Sequence, residues 1–207
     1  MGLDMYLNRM PRYGKATATD VANIENYIDY INAVGNPDSS ARNYSMEEWC
    51  GVSKSDIDVK MLDFYQHFYN KKYSTWDTEH EYGYDRIMEQ VAYWRKANHI
   101  HKWFVKNVQD GEDDCSYHDE VTKEVLIELL MTCMTVLASS ELDEDGELIK
   151  NPKVAMELLP TTSGFFFGGT DYDEWYYRDV EYTAETIKKI LETTDFEIEM
   201  IYYVSSW

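Results

Sequence analysis

The sequence predicts an α+β fold, a small and mainly antiparallel sheet packed against several helices. Three observations lead there. Residues 2–8 alternate Leu3, Met5 and Leu7 with Asp4, Tyr6 and Asn8, the period-two pattern of a half-buried strand, and residues 196–204 alternate again, with Phe196, Ile198, Met200, Tyr202 and Val204 against Glu197, Glu199, Ile201 and Tyr203. Between these ends, apolar residues recur at helical spacing in several separate stretches. A composition of 44% hydrophobic and 15% aromatic residues, with 18 Tyr and 6 Trp among 207, supplies a core and excludes a disordered acidic tail.

Taken in order, the strand at 2–8 puts Asp4 on the face away from the core. Thr19 then offers an N-cap for a helix carrying Val21, Ile24, Ile28 and Ile31, which Gly35-Asn36-Pro37 ends. Met46 to Cys50 reads as one turn, and Ile57, Met61, Phe64 and Phe68 as a second amphipathic helix. Residues 70–83, with Tyr73, Trp76 and Tyr82 among charges, read as an irregular aromatic segment pinned to a surface. One continuous helix is expected over about 84–108, with Tyr93, Ala97, Ile100, Phe104 and Val108 facing the core and Arg95, His99, Lys102 and Lys106 opposite. Residues 120–138, with Val125, Leu126, Leu129, Leu130, Cys133, Met134, Val136 and Leu137, are apolar over much of the circumference and read as a central buried helix. A short helix before Leu159, a strand at 164–168 and a helix with Tyr176, Val180, Thr183, Ile187 and Ile190 inward complete the order, its start favoured by Asp171 and Asp173. The whole reads as a single α+β domain over 1–207, with about 12–83 forming a helical insertion or subdomain.

Charge narrows the function. With 19 basic and 39 acidic side chains the net charge is −20, so direct binding to a nucleic-acid backbone is disfavoured and cationic partners are favoured. A mean hydropathy of −0.56 and the lack of an apolar run near ~20 residues argue against a membrane span, and the acid at Asp4 does not suit a signal segment. Cys50, Cys115 and Cys133 have no C-x-x-C spacing and read as reduced thiols.

No nucleophile or zinc signature stands out, so the residues favour a non-enzymatic role. His99 and His101, two apart on a helix, point roughly 200° from one another and cannot share a metal there. Asp113 and Asp114 are the residues to which a divalent cation would go, although no metal or other cofactor is predicted. Glu141 to Leu148 imitates the front of a calcium loop, but Pro152 stands where its closing glutamate belongs. Ligand contacts, if a small molecule binds, are expected from Trp94, Arg95, Asn98, His101, Phe166, Thr170 and Tyr172: aromatic rings to stack a base and a cation to meet phosphate.

Several stretches also resemble one family. MGLDMYL at 1–7, Tyr93-Trp-Arg-Lys-Ala-Asn98, His101-Lys-Trp-Phe104, Gly111-Glu-Asp-Asp-Cys115, Ser163-Gly-Phe-Phe-Phe-Gly168 and Tyr203-Val-Ser-Ser-Trp207 look like a family of uncharacterised phage and prophage proteins whose members begin MGLDMYL. The resemblance implies a phage accessory protein acting in the host bacterial cytoplasm, and brings no catalytic residues. In that setting the expected function is to counter host defence or modulate a host process by binding, occluding a host protein with a basic surface. The alternatives are a sponge that sequesters a small nucleotide immune signal and, last, a metal-dependent hydrolase using Asp113 and Asp114.

Overall fold

The structure, a computed structural model, describes residues 2–69 and 87–207. Its elements run β1 (Asp4–Pro11), α1 (Ala18–Gly35), α2 (Met46–Cys50), α3 (Val59–Tyr65), β2 (Glu89–Arg95), α4 (Asn98–Asn107), α5 (Lys123–Ser139), α6 (Lys153–Leu158), α7 (Glu174–Thr193) and β3 (Glu199–Ser206). The three strands form an antiparallel sheet in the order β2-β1-β3, so the fold is α+β and the first and last strands are neighbours. The chain divides into two compact units, Met1–Arg9 with Gln90–Trp207, and Met10–Glu89. No helix among the described residues is long and apolar enough to cross a membrane.

In the first unit one face of the sheet carries the core. Leu3, Met5 and Leu7 of β1, Ala92 and Trp94 of β2, and Ile201 and Tyr203 of β3 share one buried cluster with residues of α4, α5 and α7. The Trp94 indole donates to Thr183 Oγ1 at 2.9 Å, and Tyr203 stacks on Phe104 with ring centres 4.2 Å apart. Helix α7 buries Tyr176, Val180, Thr183, Ile187 and Ile190, as its spacing predicts, and Asp173 caps it by accepting from the Tyr176 amide at 2.9 Å. Helix α5 buries Leu126, Leu129, Cys133 and Val136 but leaves Ile127, Met131 and Met134 exposed, so it is covered on one face rather than enclosed.

The other sheet face has its own register. Lys96 donates to the Leu3 carbonyl at 2.8 Å, and antiparallel counting from that bond sets Asp4 opposite Arg95 and Tyr6 opposite Tyr93. The Tyr6 and Tyr93 rings lie 5.4 Å apart, and the Tyr93 hydroxyl donates to Asp4.

Two elements differ from the sequence expectation. The helix expected over 84–108 is a strand and a helix, joined by Lys96 and Ala97. Residues 84–86 lie outside the described residues. Tyr93 is therefore partly exposed on the outer sheet face instead of buried, while Ile100 and Phe104 are buried as expected. His99 is buried and Arg95 lies on β2, so the expected cationic stripe reduces to exposed Lys102 and Lys106. The second correction is at 164–168, where a turn replaces the strand, because Phe166 and Gly168 have φ of 67° and 93° and cannot extend a ladder. The third strand of the sheet is β2.

In the second unit, Thr17 rather than Thr19 caps α1, in a reciprocal box with Asp20. Ser45 and Glu48 repeat the device at α2. Val21, Ile24, Ala41, Val52 and Tyr65 are buried, and the Tyr65 hydroxyl donates to the Pro11 carbonyl at 3.0 Å. The aromatic segment expected at 70–83 lies outside the described residues.

Candidate functional site

At the end of the sheet, β2 hands over to α4 within two residues. The turn needs Lys96 at φ 63°, a left-handed conformation uncommon outside glycine. No side chain caps α4 at Ala97. Instead the first helical residue reaches outward. Asn98, 2% exposed, donates from Nδ2 to the carbonyls of Phe167 at 3.2 Å and Gly169 at 2.7 Å, and accepts at Oδ1 from the Thr162 amide at 2.9 Å. One amide side chain thus satisfies three backbone groups of the 161–170 loop. Thr161 Oγ1 closes the loop base by donating to the Thr170 carbonyl at 3.0 Å.

The clasped loop carries strain. Phe166 holds φ 67°, an outlier for a bulky residue, and such backbone persists only where its surroundings over-determine it. Two glycines make the packing possible. A Cβ on Gly164 would lie 2.5 Å from the Phe167 ring, and one on Gly168, at φ 93°, would lie 3.1 Å from Lys96 Cβ. Phe167 is buried, but Phe165 is 83% exposed and Phe166 49%, with ring centres 4.2 Å apart. An aromatic pair is held in solvent by a loop whose third phenylalanine is locked inside.

Behind this loop runs a hydrogen-bonded chain. Tyr203 Oη lies 2.7 Å from His101 Nδ1, and His101 Nε2 lies 3.0 Å from Asp113 Oδ1, which also accepts from the Trp207 indole at 3.1 Å. The arrangement fits a neutral imidazole that donates to Asp113 and accepts from the tyrosine. Burial pushes the His101 pKa down, against an opposing pull from Asp113, and pushes Tyr203 well above its ordinary value. The order hydroxyl, imidazole, carboxylate matches a nucleophilic triad. Its exposure is reversed, however: Tyr203 is 1% exposed while the Asp113 side chain reaches solvent. A nucleophile must meet substrate, so in this conformation the chain acts as a tie between α4, β3 and the 109–119 loop.

The residues expected to contact a ligand are not one pocket. Trp94 is in the core and bonded to Thr183, so its ring cannot stack a base as placed, and strand parity sends Arg95 to the opposite sheet face. Asn98 and His101 are buried and fully used within the chain. Tyr172 is half-buried, with its ring 4.9 Å from Tyr176 and its hydroxyl accepting from the Thr161 amide. Phe166 and Thr170 are exposed on the same loop. Asp113 and Asp114 serve separate partners, Asp114 taking His118 Nε2 at 2.8 Å and the Ser116 amide at 2.8 Å. Among the described residues no group of three or more His, Cys, Asp or Glu side chains is placed to hold a metal ion. In the acidic loop Asp143 instead accepts from the Glu147 amide at 2.8 Å.

Phe165 escaped the sequence reading, although three successive phenylalanines in so short a segment cannot all reach one core. Tyr203 and Trp207 escaped it too, since nothing local ties them to His101. Comparison with protein-family models, with curated proteins and with solved structures gave no match to this chain.

Proposed function

We propose that the protein acts by binding a macromolecular partner, without chemistry, and that the 161–170 loop is its anchor. The observation that carries this reading is the Phe165 and Phe166 pair, 83% and 49% exposed on a loop that Asn98 ties to α4 by three hydrogen bonds. Rigid aromatics are the side chains that dominate binding energy at protein interfaces, because they lose little entropy when a partner covers them. Burying one phenylalanine contributes about 1.5–3 kcal/mol. The net charge of −20 supplies the second element, attraction for a basic partner at long range. In the setting that the sequence resemblance implies, the partner is a host bacterial protein with a basic surface, and occluding it serves counter-defence or control of a host process.

The test is a photo-crosslinking amino acid at position 165 in host cells, with Trp175, 69% exposed, as the control position. A partner captured from 165 and not from 175, and lost on Phe165→Ser with Phe166→Ser in a folded protein, is the expected result. Equal capture from both positions would refute the anchor.

A further inference from the structure

On a protein with two acids for every base, the exposed cations Arg95 and Lys96 stand side by side, and neither side chain has a hydrogen bond or ion pair to any described residue. They converge. A Cβ built on Gly2 would lie 3.4 Å from Lys96 Cε and 4.0 Å from Arg95 Nε and Nη2, so both side chains lean over the same bare backbone. Beside them on the outer sheet face lie Tyr6 and Tyr93, from neighbouring strands, with ring centres 5.4 Å apart. Tyr93 is 38% exposed, and its hydroxyl is fixed by one oxygen of Asp4 while the other oxygen has no partner among the described residues.

We propose that Tyr6, Tyr93, Arg95 and Lys96 form a binding site for a nucleoside monophosphate, its base on the tyrosines and its phosphate between the two cations. Stacking on tyrosine accepts any base, because every base presents a π face. Arg95 offers a planar fork for phosphate oxygens and Lys96 a point charge. The free Asp4 oxygen is an acceptor for a ribose hydroxyl. A small ligand fits better than a polynucleotide, since two local cations suit one phosphate group while a net charge of −20 repels an extended phosphate backbone. All four residues belong to one compact unit, and none of them lies in the 161–170 loop, although Lys96 packs beside Gly168 of that loop.

Calorimetric titration of the full chain with AMP, GMP, CMP, UMP, adenosine and inorganic phosphate tests this. At least one nucleotide should bind, more tightly than adenosine or phosphate alone. Tyr93→Ala and Arg95→Gln should each weaken it about tenfold or more. Tyr93→Phe, which keeps the ring, should retain binding, and circular dichroism confirms that each variant is folded. Binding should fall with added salt, and Arg95→Gln with Lys96→Gln should flatten that dependence. Phe165→Ser should leave nucleotide binding unchanged, which separates this site from the protein-binding reading. The proposal is overturned if no nucleotide binds up to about 1 mM. Equal binding of adenosine and AMP, or affinity untouched by Tyr93→Ala, overturns it as well.

Discussion

Replacing Asn98 by alanine removes a single side chain yet strands three backbone groups, and the cost can be worked from the geometry. The carbonyls of Phe167 and Gly169 and the amide of Thr162 each lose their Asn98 partner, whose distances are 3.2, 2.7 and 2.9 Å. A net contribution of about 0.5–1.5 kcal/mol per bond puts the loss at about 2–4 kcal/mol. For a protein whose total stability is about 5–15 kcal/mol this is a large fraction. Urea unfolding read by tryptophan fluorescence measures it, and hydrogen exchange localises it, since the Thr162 amide should lose protection. Asn98→Asp sharpens the case. Its carboxylate keeps the acceptor for Thr162 but faces two carbonyls with lone pairs, so it should be at least as damaging at pH 7. Protonation restores one donor, hence the folded protein favours the acid form, its pKa is raised on folding, and stability should recover as pH falls and be lost again as pH rises. A change below about 0.5 kcal/mol for Asn98→Ala, with Thr162 still protected, would refute the clasp.

Other outcomes follow from the same packing. Gly164→Ala places a methyl group 2.5 Å from the Phe167 ring and should cost about 1–3 kcal/mol, seen as a lowered thermal midpoint. His99, wholly buried against Tyr176, has its pKa pushed down to about 3 by burial. The unfolded chain takes up that proton near pH 6.5, so His99 weakens the fold as pH falls from about 6.5 towards 3. His99→Phe should therefore flatten stability against pH in that window by up to one proton, and an unchanged slope would contradict the burial. Burial pushes the Cys133 thiol up to about 12, whereas Cys115 is exposed. A thiol reagent should label Cys115 in the native protein and reach Cys133 only on unfolding.

Much of the fold was legible because its signals are local. The inward face of α7, its aspartate cap and the first and last strands in the sequence were all written in spacing and residue type. The break between β2 and α4 was not, because Lys96 and Ala97 are neither glycine, proline nor a capping residue, and Val91 to Arg95 is too short to separate alternation from helical recurrence. Glycines bounding 164–168 were legible as punctuation, but what they permit, a ring passing under Gly164 and a left-handed Phe166, depends on partners far along the chain. The candidate site was legible only in fragments for the same reason. Asn98 meets Phe167 across 69 positions and His101 meets Tyr203 across 102, distances over which no periodicity speaks.

The seating of β1 between β2 and β3 also sets a schedule for assembly. The middle strand of the sheet is the first to be made, and one of its two neighbours is the last: Arg9 donates to the Thr193 carbonyl across 184 positions and pairs with Glu199 at 3.6 Å. Closing so long a loop costs entropy before any contact returns it, which slows folding. On the ribosome, β1 therefore leaves the exit tunnel long before β3 exists, with Leu3, Met5 and Leu7 waiting uncovered. A net charge of −20 favours mutual repulsion between such unfinished chains. On the proposed function, the charge that would draw a basic partner to the finished protein is the same charge that opposes association of unfinished chains.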